Sequence, residues 1–304
     1  MAIKSKVLVV GGTGYIGRRI VAASLAQGHT TYVLKRPESG LDIEKLQILL
    51  SFKKQGAHLV EASFSDQDSL VRAVKLADVV ICTMSGVHFR SHNILLQLKL
   101  VEAIKRFVPS EFGMDPARMG GALEPGNETF EQKMVVRKAI EDANIPHTYV
   151  SANCFAGYFV GNLSQLGTLT PPSRDQQVVI YGGGNVKVVY VDEDDVGTYT
   201  IKAVDDERTL NKTVYIRPPE NVMTQGELVA MWEKLSGQQV QKVDLSAQDF
   251  LASMEGNVVV LMFYHIFYEG CLANFEIGED AAEASSLYPE VKYTRVHEYL
   301  QIFL

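Results

Sequence analysis

The chain has 304 residues, 46% hydrophobic and 21% charged, with a formal net charge of -7; this is the composition of a globular protein with ample core. The acidic balance excludes a nonspecific nucleic-acid binder, which needs clustered Lys and Arg, and no apolar run is long enough to span a bilayer, so neither partner is expected. The start runs directly into an apolar stretch, so no signal peptide is expected; Cys82, Cys154 and Cys271 lack metal-ligand spacing and read as buried free thiols in a reducing, cytoplasmic compartment.

Val7–Val10 is a continuous apolar run of the kind that forms a buried parallel strand. It feeds the turn Gly11-Gly12-Thr13-Gly14-Tyr15-Ile16-Gly17 and then an amphipathic helix from Tyr15 to Gln27, closed by Gly28. Gly11 allows the tight turn, Gly14 lets a pyrophosphate reach the backbone, and Gly17 lets helix and strand pack closely. The helix N-terminus offers N–H groups to the phosphates, so a dinucleotide site is expected here. An NAD site usually has a carboxylate at the end of the second strand, roughly 20 residues past the glycines. Here that place reads Leu34-Lys35-Arg36-Pro37. The Arg36 guanidinium matches a 2′-phosphate, which points to NADPH, and Lys45 on the next helix adds a second positive charge.

Strands are expected at Thr31–Leu34, His58–Glu61, Val79–Cys82, Arg106–Pro109 and His147–Val150. Helices are expected over Asp42–Gln55, Asp66–Lys75, His92–Ile104 and Glu128–Ala143. The alternation predicts an α/β fold, a Rossmann-type doubly wound parallel sheet with right-handed crossovers. Residues 1–152 then form the NADP-binding unit. Residues 153–304 form a smaller, interleaved substrate-binding unit with segments returning to the first, including strands around Val178–Tyr181 and Val186–Val191. Thr224 with Glu227 reads as a capping box, and Asp192–Asp195 reads as capping charge at a helix start rather than a metal site. The links before Arg106 and Met262 are unusually abrupt.

Common short-chain dehydrogenases use Tyr-x-x-x-Lys, but here Thr129 stands where the tyrosine would be, leaving Lys133 without a phenol. Arg137 lies one helical turn on. A neighbouring cation and partial burial both favour a neutral amine, as a lysine base requires. The alternative is that Lys133 and Arg137 are surface charges pairing with Glu131 or Glu141. Phe155, Tyr158 and Phe159, just past the sixth strand, are candidate walls for nicotinamide and an aromatic substrate.

The glycine turn, Val108-Pro109-Ser110-Glu111-Phe112-Gly113, Lys133 with Arg137, and Asn153-Cys154-Phe155-Ala156-Gly157-Tyr158-Phe159 together resemble the plant phenylpropanoid reductases. These atypical short-chain dehydrogenases include isoflavone, phenylcoumaran benzylic ether and pinoresinol–lariciresinol reductases. Met84–His92 and Phe263–Gly270 resemble the last group, and the resemblance spans essentially the whole chain. It implies a homodimer that reduces the lignan pinoresinol to lariciresinol, and lariciresinol to secoisolariciresinol, with NADPH. Gly11–Gly17, Arg36, Lys45, Asn153 and Phe155 would hold NADPH, and Arg137 would also reach it. Lys133 would be the general base, and Val87, His88, Phe159 and His265 would contact substrate. A phenylcoumaran or isoflavone reductase is the alternative within the class, and a non-catalytic NADP-sensing regulator the alternative outside it. One departure stands out: relatives carry a histidine where this chain has Met262.

Overall fold

The computed structural model describes residues 4–37, 42–84, 94–173, 175–253 and 258–304. Val7–Val10 forms strand β1, each residue at most 1% exposed, as a strand covered on both faces must be. Around it lie β2 (Thr31–Lys35), β3 (His58–Glu61), β4 (Val79–Cys82) and β5 (Phe107–Val108), all parallel, in the order β3-β2-β1-β4-β5. A parallel bridge between Phe107 and His147 carries the layer on to β6 (Thr148–Ser151). After β7 (Cys154–Phe155), β8 (Gln177–Tyr181) and β9 (Lys187–Val191) comes β10 (Lys212–Tyr215), which pairs parallel with β6. Helices flank the layer, as right-handed crossovers require: α1 (Gly17–Ala26), α2 (Ile43–Lys54), α3 (Gln67–Val74) and α4 (Asn127–Asp142). The doubly wound parallel sheet is therefore as expected.

Short β11 (Val222–Thr224) lies antiparallel to β9, which pairs parallel with β7, and β12 (Gln241–Leu245) runs parallel to β8. A further strand, β13 (Ala281–Glu283), adds to β10 and so extends the main parallel layer from the chain's end. Helices α5 (Ala156–Phe159), α6 (Glu193–Val204), α7 (Gln225–Ser236), α8 (Ala247–Ala252) and α9 (Val258–Phe267) complete the second half around its aromatic core. The local signals hold where their partners are near in sequence. Asp66 caps α3 by accepting from Ser69 N, Asp192 caps α6, and Thr224 and Glu227 form the reciprocal capping box of α7.

One expectation needs correction. The segment leading to β5 is a 3₁₀ helix, Ile94–Ala103, not an α-helix. Ten residues at a rise of about 2.0 Å reach about 20 Å, against about 15 Å for an α-helix. The link that follows is short: β5 begins at Phe107, and the Arg106 carbonyl already accepts from Val80 N.

Candidate active site

The candidate residues gather at the carboxyl edge of the parallel layer, where open α/β sheets bind their ligands. Gly11 turns the chain at φ +84°, a backbone state costly for any residue with a Cβ, and Gly14 N closes the turn on the Gly11 carbonyl at 2.9 Å. Gly12 is buried against Val33, and Thr13, Tyr15 and Ile16 complete the loop into α1. A Cβ on Gly14 would lie 3.1 Å from the Gly11 carbonyl oxygen and 4.0 Å from that of Thr83, both on one side, so its outer side can admit a phosphate. Unlike α2, α3 and α6, each capped by an aspartate, α1 has no side-chain cap and no acid in its first turn. That leaves its N-terminal dipole for an anion. These features fit a dinucleotide.

At Gly17 a Cβ would sit 2.2 Å from the Gly11 carbonyl oxygen and 2.6 Å from Thr83 Oγ1. Gly17→Ala must push α1 off β1. Overpacking of this kind costs about 1–3 kcal/mol, so NADPH should bind about ten- to a hundredfold more weakly. Titration of NADPH fluorescence measures this, and an unchanged affinity would contradict the close-packing role.

Arg36 lies exposed just past the end of β2, at the same edge. Lys45 is half-buried on the first turn of α2 and pairs with the helix-capping Asp42 at 2.7 Å. Asn153 follows β6 at φ +55°, donating its side-chain amide to the Ile216 carbonyl and its backbone N–H to the Gly113 carbonyl. Phe155 and Tyr158 bring their rings to 6.1 and 4.8 Å from that of Tyr15, so the segment after β6 closes against the glycine turn. Val87 and His88 lie outside the described residues.

Glu193 makes this closure, a role beyond the capping charge read for its segment. It accepts from the Tyr15 hydroxyl and from Gly157 N. Burial, then the Glu193 carboxylate, pushes the Tyr15 phenol up, while burial raises Glu193 itself. The two residues are 178 positions apart, and nothing local links them.

Lys133 donates from Nζ to the Glu111 carbonyl at 2.8 Å, which brings α4 to the segment after β5. Burial lowers its pKa below the ordinary lysine value; Glu111 opposes this, Arg137 adds to it, and Asp115 opposes it. Neither Lys133 nor Arg137 is a surface charge pairing with Glu131 or Glu141.

Arg137 departs from expectation. Its Nε and Nη2 hold both Glu111 oxygens at 2.7 and 2.6 Å, Nη2 also reaches Asp115 Oδ1 at 2.9 Å, and the guanidinium stacks on Tyr149. Burial acts against its charge, yet the Glu111 and Asp115 carboxylates outweigh burial and raise its pKa. It is the centre of a buried ion-pair cluster, because two carboxylates enclosed at that edge require a cation.

Phe159 stacks on Phe263 with ring centroids 5.3 Å apart and lies near Phe267, forming an aromatic wall with α9. Met262 is half-buried beside them. His265 is a second correction: it is only 2% exposed and both ring nitrogens are occupied. Nε2 accepts from Leu123 N at 3.1 Å and Nδ1 lies 2.6 Å from Glu269 Oε2, so the ring ties the loop before α4 to α9 instead of offering itself to substrate. It also borders a cleft of about 400 Å³ with Arg118, Met119 and Phe275. Among the described residues no acidic, histidine and cysteine cluster could hold a metal, and no helix is long and apolar enough to cross a membrane.

Residues 3–300 match the model of the NmrA-like family. A bifunctional pinoresinol-lariciresinol reductase from Linum perenne is 76% identical over 98% of each chain. Pinoresinol reductase 1 of Arabidopsis thaliana is 65% identical, over 99% of this chain and 98% of its own. The solved structure of AtPrR2 with NADP+ and (+)pinoresinol matches with a TM-score of 0.95 at 59% identity over the whole of both chains. The Linum perenne alignment runs over 311 positions against 304 residues here, so that relative carries residues without counterpart in this chain.

Proposed function

The chain belongs to the NmrA-like family, among its pinoresinol–lariciresinol reductases, and we propose that it reduces pinoresinol to lariciresinol, and lariciresinol to secoisolariciresinol, with NADPH. The observation that carries this reading is full-length similarity to such reductases joined to a lysine, Lys133, held at the edge where the glycine turn lies. Gly11–Gly17 would hold the pyrophosphate of NADPH, Arg36 and Lys45 would pair with its 2′-phosphate, and Asn153 and Phe155 would bind its nicotinamide end. The aromatic substrate would lie against Phe159, so that the first 152 residues hold mainly cofactor and the rest mainly substrate.

Pinoresinol carries a phenol para to a benzylic ether carbon. Lys133, as the neutral amine that its burial favours, takes the phenolic proton. The ring electrons then expel the furan oxygen, which leaves with the bonding pair and takes a proton that comes from solvent, and the substrate becomes a quinone methide; once the ring is aromatic again, the phenolate recovers its own proton from the Lys133 ammonium. NADPH, when bound, supplies the hydride that saturates the benzylic carbon and restores the aromatic ring. No carbonyl oxygen is protonated, so a tyrosine acid has no task, and Thr129 in its place is consistent with the chemistry. Phe159 and its neighbours exclude water from the quinone methide, which water would otherwise trap. A cytoplasmic homodimer is the assembly and setting that accompany this reading.

The test is NADPH consumption with each pinoresinol enantiomer, with chiral analysis of products over time. Lariciresinol followed by secoisolariciresinol is expected. Lariciresinol alone would remove the second step, and tight NADPH binding without oxidation would overturn the reading in favour of another phenylpropanoid substrate or a cofactor sensor.

A further inference from the structure

Behind Lys133 lies a chain of buried contacts that the proposed chemistry does not itself require. The Glu111 carbonyl receives the lysine amine, while the Glu111 carboxylate is gripped by Arg137 through two nitrogens. Arg137 is gripped in turn by Asp115 Oδ1, and Asp115 Oδ2 accepts from the Tyr215 hydroxyl. Arg118 Nε donates to that hydroxyl at 3.1 Å. Glu111, Asp115 and Arg137 are 7%, 8% and 5% exposed. Arg118 Nε also lies 3.8 Å from Asp115 Oδ2, so two carboxylates and two guanidiniums make up the cluster, with Arg137 between Glu111 and Asp115 and Arg118 on the far side of Asp115. Among the described residues, the charged groups acting on Lys133 are Glu111, Arg137 and Asp115.

We propose that Asp115, with Tyr215 behind it, is a positioning residue for Lys133, acting through the Arg137–Glu111 pair to fix the carbonyl that receives the amine and to set the charge around it. This rests on Lys133 being the base. A glutamate pinned only by its backbone could rotate its carbonyl away. With its side chain clamped at both oxygens, and the clamp itself held by Asp115, the carbonyl has one orientation. Asp115 comes from the loop after β5 and Tyr215 from the end of β10, so the two halves of the chain meet in this cluster. Misplacement of a reacting group by about 1 Å can cost about a hundredfold in rate, which is the scale on which such a clamp matters.

Two variants test it in the full-length protein with NADPH bound. Asp115→Asn keeps an oxygen for Arg137 and for Ala117 N but removes one negative charge; Tyr215→Phe deletes a single hydroxyl. The rise of kcat with pH is followed for pinoresinol, and independently the pH dependence of Lys133 methylation by formaldehyde and cyanoborohydride is read by peptide mass. With Asp115→Asn both midpoints should move to lower pH, by about one unit as expected for loss of a nearby opposite charge, and kcat should fall while NADPH affinity stays. With Tyr215→Phe they should move to higher pH, because Asp115 loses a donor that tempered its charge. Unmoved midpoints in both variants overturn the proposal, as does a loss of rate that merely tracks loss of thermal stability. If pinoresinol is not turned over at all but the methylation midpoints shift, the positioning role stands and the substrate reading falls.

Discussion

Lys133→Met is expected to lower kcat for pinoresinol by about 10²–10⁴-fold, the usual contribution of a positioned general base, while NADPH still binds. The substitution keeps the apolar stem against α4's surroundings and removes only the amine that the Glu111 carbonyl holds. In the wild-type protein, activity should rise with pH as the ammonium loses its proton. Because burial lowers the lysine pKa, that rise falls below the ordinary lysine range, and it should vanish in the variant. Thr129→Ala supplies the comparison, since an aliphatic hydroxyl is a far weaker acid than the phenol it replaces and should be dispensable. Steady-state rates with product analysis decide the matter: substantial turnover by Lys133→Met would rule out the lysine as base, and a matching loss in Thr129→Ala would restore a hydroxyl to the chemistry.

Arg137→Met should cost about 3–5 kcal/mol of folding free energy, the scale for removing one partner of a buried ion pair. The substitution preserves helical length and most of the volume, so the loss comes from leaving the Glu111 carboxylate buried without its guanidinium beside Asp115, which keeps the Arg118 guanidinium. Against a total stability of about 5–15 kcal/mol this is a large share, and the melting temperature should fall by on the order of 10 °C. Scanning calorimetry on the apo and NADPH-bound protein would measure it. A melting temperature equal to the wild type, with weakened NADPH binding, would return Arg137 to the cofactor and empty the structural account.

Much of this protein is legible as sequence because the partners lie within a few residues of each other. The apolar run Val7–Val10, the glycine turn with its requirement for positive φ at Gly11, and the caps at Asp66, Asp192 and Thr224 each close their interactions locally. The resemblance carried by Gly11–Gly17, Val108–Gly113 and Asn153–Phe159 rests on the same kind of short segment, and the family it indicated is the one to which the chain belongs.

Other features required the tertiary structure. The segment before β5 reads as α-helical from its apolar pattern, yet it folds as a 3₁₀ helix. Arg137 looks like a second cation beside Lys133 until folding encloses Glu111 and Asp115 around it, 26 and 22 residues away along the chain. His265 looks available to a ligand until Leu123, 142 positions away, takes one of its nitrogens. The sequence by itself determined the strand–turn–helix, its capping and the class of cofactor it suits. Only the tertiary structure decided which charged and polar side chains remain free for chemistry, because a buried polar group must find a partner and that partner can come from anywhere in the chain.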